Sequence, residues 1–217
     1  MIRTADLDGV VLDEAIDSLR SVTGELRAHR VDGVRMQSAL DFGRHQQELF
    51  ATVAAGVDGV DEYARRGTHD PDEFFPYSPV VGRLNPLSPP ARMWRAEGPA
   101  PDGPGEVHGE VTFGAAFNGP PGSVHGGVIA ETFDELLGCV CVVNGLGAFT
   151  GTLTVVYRST TPLDRPVRLR GWLSGTERRK VFARGTLHDG DTLCAEAEGV
   201  FIRSDQLPGG GVPVDAA

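Results

Sequence analysis

The apolar positions of the chain follow two different rhythms. Near the start they recur at helical spacing. Val10, Val11, Leu12, Ala15, Ile16, Leu19, Val22 and Leu26 fall along one stripe. Asp8 is placed to cap this helix, and Gly33 to end or interrupt it. A less regular pattern follows at Met36, Leu40, Phe42, Leu49, Phe50, Val53 and Ala54. Residues 1–66 therefore read as a helical extension whose apolar stripes pack on the main domain or on a second subunit. Residues 67–104 are punctuated by proline, which neither continues a helix nor donates to a strand ladder. They read as an extended connector, and Phe74, Phe75, Tyr77, Val80, Val81, Leu84 and Leu87 lay it on a surface.

From residue 105 to 203 the rhythm is that of strands. Val107, Gly109, Val111 and Phe113 alternate with His108, Glu110 and Thr112 over residues 106–117. A Pro/Gly loop then opens a helix that Gly145-Leu-Gly stops. Strands are predicted over 149–160, 167–175, 181–188 and 193–202, and Asp189-Gly-Asp is a hairpin turn. One helix and a largely antiparallel sheet bury each other's apolar sides, an α+β domain in which the sheet wraps the helix. Residues 204–217, with Pro208-Gly-Gly-Gly, read as a disordered tail.

The helix holds the candidate chemistry. Val128, Ile129, Thr132, Phe133, Leu136, Leu137 and Val140 form its broad buried stripe. A second stripe carries Gly127, Glu131, Asp134 and Gly138. Glycine weakens a helix by roughly 1 kcal/mol against alanine, so two of them imply the close approach of another body. At the helix start stands His125-Gly126-Gly127. The first N–H groups of a helix lack internal partners and attract negative charge, as an oxyanion of acyl transfer requires. Asp134 lies further along, where a carboxylate can act as base or nucleophile. On the residues alone this reading stands beside a plainer one, in which Glu131, Asp134 and Glu135 form a solvent face and Gly126-Gly127 is turn chemistry. The spacing of His125, Glu131 and Asp134 does not suit a metal. No Walker lysine, G-x-G-x-x-G or G-x-S-x-G is present.

His125-Gly-Gly, then Asp134 and Gly138, resembles the signature of the hotdog-fold acyl-CoA thioesterases, in their phenylacetate-pathway-like branch. Residues 150–163 resemble the family's central strand and its following turn, and 177–182 and 195–202 its last strands, so the likeness covers about 105–203. It implies a hotdog fold and hydrolysis of an acyl-CoA. Asp134 is then the catalytic carboxylate, Gly126 the oxyanion donor, and His125 the residue shaping that loop. Thr150 orients water and Asn118 sits near the thioester. The resemblance further implies an active site shared between two subunits of a dimer or tetramer. No metal or cofactor is implied beyond the coenzyme A of the substrate. Glu131 departs from the small or neutral residue many relatives carry there; it either shares the site with Asp134 or points away. Glu135 reads as ordinary solvent-facing charge. A dehydratase or hydratase of the same fold is disfavoured because the helix itself has no histidine; a non-catalytic acyl-CoA or lipid-binding module is the other alternative.

Composition adjusts this picture at three points. The net charge of −10 argues against nucleic acid or an anionic membrane as partner. Yet residues 157–184 hold Arg158, Arg165, Arg168, Arg170, Arg178, Arg179, Lys180 and Arg184 against Asp164 and Glu177. Such a run is either a set of charged strand edges or a site for coenzyme A phosphates. With the resemblance, Arg178, Arg179 and Lys180 are assigned to those phosphates, with Gly127 beside the ligand. Three cysteines, no signal core and no apolar run of membrane-spanning length lead to a cytosolic expectation.

Overall fold

A computed structural model describes residues 8–29, 75, 78–82, 85–89, 91–96 and 103–203. The second apolar pattern at 36–54, most of the connector and the expected tail at 204–217 lie outside them. The elements run α1 (Gly9–Ala28), β1 (Arg92–Ala96), β2 (Glu106–Thr112), α2 (Gly126–Val143), β3 (Ala148–Tyr157), β4 (Pro166–Glu177), β5 (Lys180–Asp189) and β6 (Thr192–Arg203). Asp8 caps α1, its side chain accepting from the Val11 N–H at 2.9 Å. Within that helix no residue is buried, and Leu19 and Leu26 stand exposed.

The strands form one antiparallel sheet in the order β1-β2-β4-β5-β6-β3. Five of them fall where alternation predicts. The sixth, β1, is a correction: it lies inside the stretch read as a connector and pairs Arg92–Ala96 with Ala96-facing Glu106 through Glu110. The short run Arg-Met-Trp-Arg-Ala between proline-rich segments carries too little alternation to stand out. The sheet domain therefore begins near Arg92, ahead of the expected boundary at 105.

The sheet curls around α2, which touches β2, β3, β4, β5 and β6. Phe133, Leu136, Leu137 and Val140 of α2 are fully buried against it. Each such side chain contributes roughly 1.5–3 kcal/mol by leaving water. The helix can approach because the sheet presents small residues beneath it. Gly171 and Gly185 face each other across β4 and β5, and Gly185 faces Ala197 across β5 and β6. A Cβ on Gly171 would lie 2.9 Å from Val140 Cγ2 and 3.0 Å from Leu136 Cγ. On the outer face, the buried Glu106 accepts two hydrogen bonds from Arg170, at 2.7 and 2.8 Å, tying β2 to β4. The Arg170 pairing is the largest cause holding the Glu106 carboxyl below its ordinary range.

Gly171→Ala is expected to destabilise the domain by about 1–3 kcal/mol, because the added methyl overpacks the helix seat. Urea denaturation measures this as a lower midpoint at unchanged slope.

Candidate active site

The loop before α2 is built from glycine and proline for geometric reasons. The Ser123 N–H bonds the Pro120 carbonyl at 2.9 Å, closing a turn over Pro121 and Gly122. Gly122 has φ 71°, which a turn of this type requires at that position. Gly119 N–H bonds Ser123 O at 2.8 Å, and His125 N–H bonds Phe117 O at 2.9 Å. This narrow hairpin leaves no room at Gly119, where a Cβ would lie 2.6 Å from His125 Cα. Asn118 stands in the hairpin as the bridge partner of Val124.

The hairpin delivers His125 as the N-cap of α2. Its Nδ1 accepts from the Gly127 N–H at 3.0 Å, and its carbonyl accepts from Val128 and Ile129. The donor at Gly127 is therefore taken. The Gly126 N–H has no partner among the described residues, so the first turn offers one open donor at the positive end of an 18-residue helix.

The three helix acids occupy three environments. Asp134 is exposed and accepts a hydrogen bond from Thr150 Oγ1 at 2.8 Å. That contact depends on an irregularity in β3. Tyr157, Val155 and Leu153 alternate toward the helix, opposite Ala195, Ala197 and Gly199. Continued alternation would turn Thr150 away. A register shift between Thr150 and Thr152 inserts Gly151 and sets Thr150 opposite the buried Phe201, on the helix side. A bulge that re-aims one side chain is a frequent device beside active sites. At the other end of the strand, the Tyr157 hydroxyl donates to the Gly126 carbonyl at 2.7 Å. The alternation that predicts this strand carries no signal for the contact.

Glu131 is exposed beside Asp134. Glu135 corrects the sequence reading, for it is largely buried and not a solvent-facing charge. The Ser78 hydroxyl bonds it, while Ser78 Oγ accepts from Val80 and Val81 N–H at 3.0 and 3.2 Å. With Val80 and Val81 buried beside it, this piece of the connector covers the helix. Glu135 Oε1 is buried without a hydrogen-bond partner among the described residues. Burial, with the nearby Asp134 and Glu131 charges added, pushes its carboxyl up from an ordinary 4.5 to about 7 against the Ser78 bond. The stripe of Gly127, Glu131, Asp134 and Gly138 faces outward, and open space lies where a Gly138 Cβ would stand.

The basic run separates into two groups, with Arg168 apart from both, its Nη2 donating to the Gly190 carbonyl at 2.9 Å. Arg158, Arg165, Arg170 and Arg184 pair with Glu196, Asp189, Glu106 and Glu198, acids supplied from other parts of the chain. Arg158, Arg184 and their acids line a shallow groove on the outer face of the sheet, on the side away from α2. These four arginines are cross-strand charge pairing, the plainer of the two readings. Arg178, Arg179 and Lys180 lie at the β4–β5 turn, where Arg178 has φ 53° and Arg179 bonds the Arg203 carbonyl through Nε and Nη2. Register places this turn at the Thr150 end of the sheet, since Thr150 faces Phe201 and Phe201 faces Val181. Among the described residues no three His, Cys, Asp or Glu side chains cluster as a metal site would need, and no helix is long and apolar enough to cross a membrane.

Comparison with known proteins adds to this geometry. Residues 121–196 match the sequence profile described as the thioesterase superfamily. Acyl-coenzyme A thioesterase THEM4 of Xenopus laevis is 37% identical over 92 residues, 42% of this chain and 41% of that protein. Acyl-coenzyme A thioesterase THEM5 of Homo sapiens is 32% identical over 92 residues, 42% of this chain and 37% of that protein. The matched part thus spans about two fifths of the curated relatives' length. A crystal structure described as a thioesterase superfamily protein superposes with a TM-score of 0.66 at 27% identity, covering 93% of this chain and 87% of that one.

Burial of Glu135 has a consequence for stability. Its folded-state affinity for a proton exceeds that of the unfolded chain, so its contribution is fully present below pH 4.5 and is lost as pH rises through about 7. Glu135→Gln removes this dependence. Between pH 5 and pH 8 the wild type is expected to lose up to about 3 kcal/mol relative to the variant. Urea unfolding of both proteins at the two pH values checks it.

Proposed function

We propose that the sheet and its central helix form a hotdog-fold domain of the thioesterase superfamily, and that the chain hydrolyses an acyl-CoA thioester to the free acid and coenzyme A. The observation that carries the reading is the pair of groups on α2, a Gly126 N–H at the helix start with no partner among the described residues and Asp134 held by Thr150. The thioester carbonyl accepts from Gly126, in the loop that His125 shapes and beside Asn118. Asp134 takes a proton from water as the water oxygen attacks the carbonyl carbon, and Thr150 fixes the carboxylate and that water. The tetrahedral oxyanion is stabilised by the Gly126 N–H and the helix dipole, a contribution of several kcal/mol in comparable sites. Collapse breaks the C–S bond, and the thiolate leaves with the proton returned from Asp134. The chemistry draws on groups of the chain and on the substrate's own coenzyme A.

Helix geometry supports a site shared between two copies. Gly126 and Asp134 are eight residues apart, about 12 Å along the axis at 1.5 Å per residue. One carbonyl group cannot meet both within one chain. It meets both when Gly126 of one copy faces Asp134 of another. Gly138, where a Cβ would meet open space, gives that copy room, and β3 is an edge strand. Coenzyme A phosphates bind Arg178, Arg179 and Lys180, with Gly127 close to the ligand. Glu131 is exposed one helical turn from Asp134, on the same outward stripe.

The test is thiol release from short, long and aromatic acyl-CoAs. Wild-type turnover is expected with at least one, and Asp134→Asn is expected to lose about 10³-fold or more in kcat. Turnover by neither protein contradicts hydrolysis. Unchanged turnover by Asp134→Asn contradicts the role of this carboxylate.

A further inference from the structure

Strand β3 touches α2 through two polar side chains, and both contacts fall on groups the proposed reaction uses. At one end Thr150 donates to Asp134, and at the other Tyr157 donates to the Gly126 carbonyl at 2.7 Å. Tyr157, Val155 and Leu153 share the helix-facing side, so the tyrosine is delivered by ordinary strand alternation. Its ring lies 3.5 Å from where a Gly126 Cβ would stand, so the ring occupies the space beside the glycine. Gly126 has no side chain of its own to hold it. The residue before it, His125, spends its ring nitrogen on Gly127.

We propose that Tyr157 is the positioning residue of the oxyanion donor: its hydroxyl fixes the Gly126 backbone so that the N–H points at the thioester carbonyl. The inference rests on the thioesterase reading. The physical reason is that a glycine visits more backbone conformations than any other residue. An oxyanion donor, by contrast, is useful only when held in place before the charge develops. A hydrogen bond to the carbonyl holds the residue, and the ring fills the space a side chain would take. Because β3 also holds Asp134, one strand sets both groups of its own chain. The two groups serve different carbonyls, however, so each strand prepares half of two sites.

That last point gives a test that a merely structural tyrosine would not pass. Tyr157→Phe keeps the ring and deletes the donor at a side chain that is 50% exposed, so folding is expected to be unchanged by thermal denaturation. Loss of one hydrogen bond of this kind is expected to lower kcat about tenfold at unchanged KM. Asp134→Asn and Tyr157→Phe chains are then co-expressed in equal amounts. If Tyr157 acts through Gly126 toward the partner's Asp134, each mixed dimer regains one intact site. Activity then returns to about a quarter of wild type by random pairing. If both residues serve the same site within a chain, no site is intact and activity stays near a twentieth, which overturns the shared arrangement. Wild-type kcat in Tyr157→Phe overturns the positioning role while leaving the thioesterase reading in place. Absence of turnover by the wild type overturns that reading itself.

Discussion

The domain depends on how closely one edge strand can be held against one helix. The helix α2 is seated on a floor of Gly171, Gly185 and Ala197, so its axis lies low in the curl of the sheet. At that depth the side chains of β3 reach its exposed flank. Two short polar contacts result, Thr150 with Asp134 and Tyr157 with Gly126. Packing and chemistry are thus linked through one distance. Larger residues in the floor would lift the helix and lengthen both contacts before they unfolded the domain.

The same helix shows why a carboxylate's environment decides its role. Asp134 and Glu135 are adjacent in sequence, but helical geometry separates them by about 100° around the axis. Asp134 emerges at the open stripe with a hydroxyl partner. Glu135 turns under the Ser78–Gly82 piece of the connector and is pushed up to about 7 by burial. In the proposed reaction the first exchanges a proton with the attacking water. The second lies buried beside Ser78, and its raised proton affinity underlies the expected pH dependence of stability.

Much of this was legible in the sequence, and the failures have physical causes. Alternation located five strands within a few residues, because each presents one face to α2 and the other to solvent. The residues His125, Gly126 and Asp134 stood out because glycines and acids are out of place on a largely buried helix. Strand β1 escaped notice because five residues between prolines carry almost no periodic signal. The bulge at Gly151 was invisible since it breaks the very periodicity used to read a strand. Glu135 was misassigned because its cover, Ser78, lies 57 residues away in a stretch without pattern. The arginine run looked like one basic site because sequence order hides the acids that cross-strand pairing brings to it.

The central claim is that a helix start and a carboxylate eight residues further on act on one carbonyl by belonging to different copies of the chain. A crystal structure with a non-hydrolysable thioester analogue of an accepted acyl-CoA tests it most directly. The account predicts the analogue's carbonyl oxygen within about 3 Å of the Gly126 N–H of one chain. It places Asp134 of the other chain beside the carbonyl carbon. A carbonyl placed against Asp134 of the same chain, or bound away from Gly126 altogether, would contradict it.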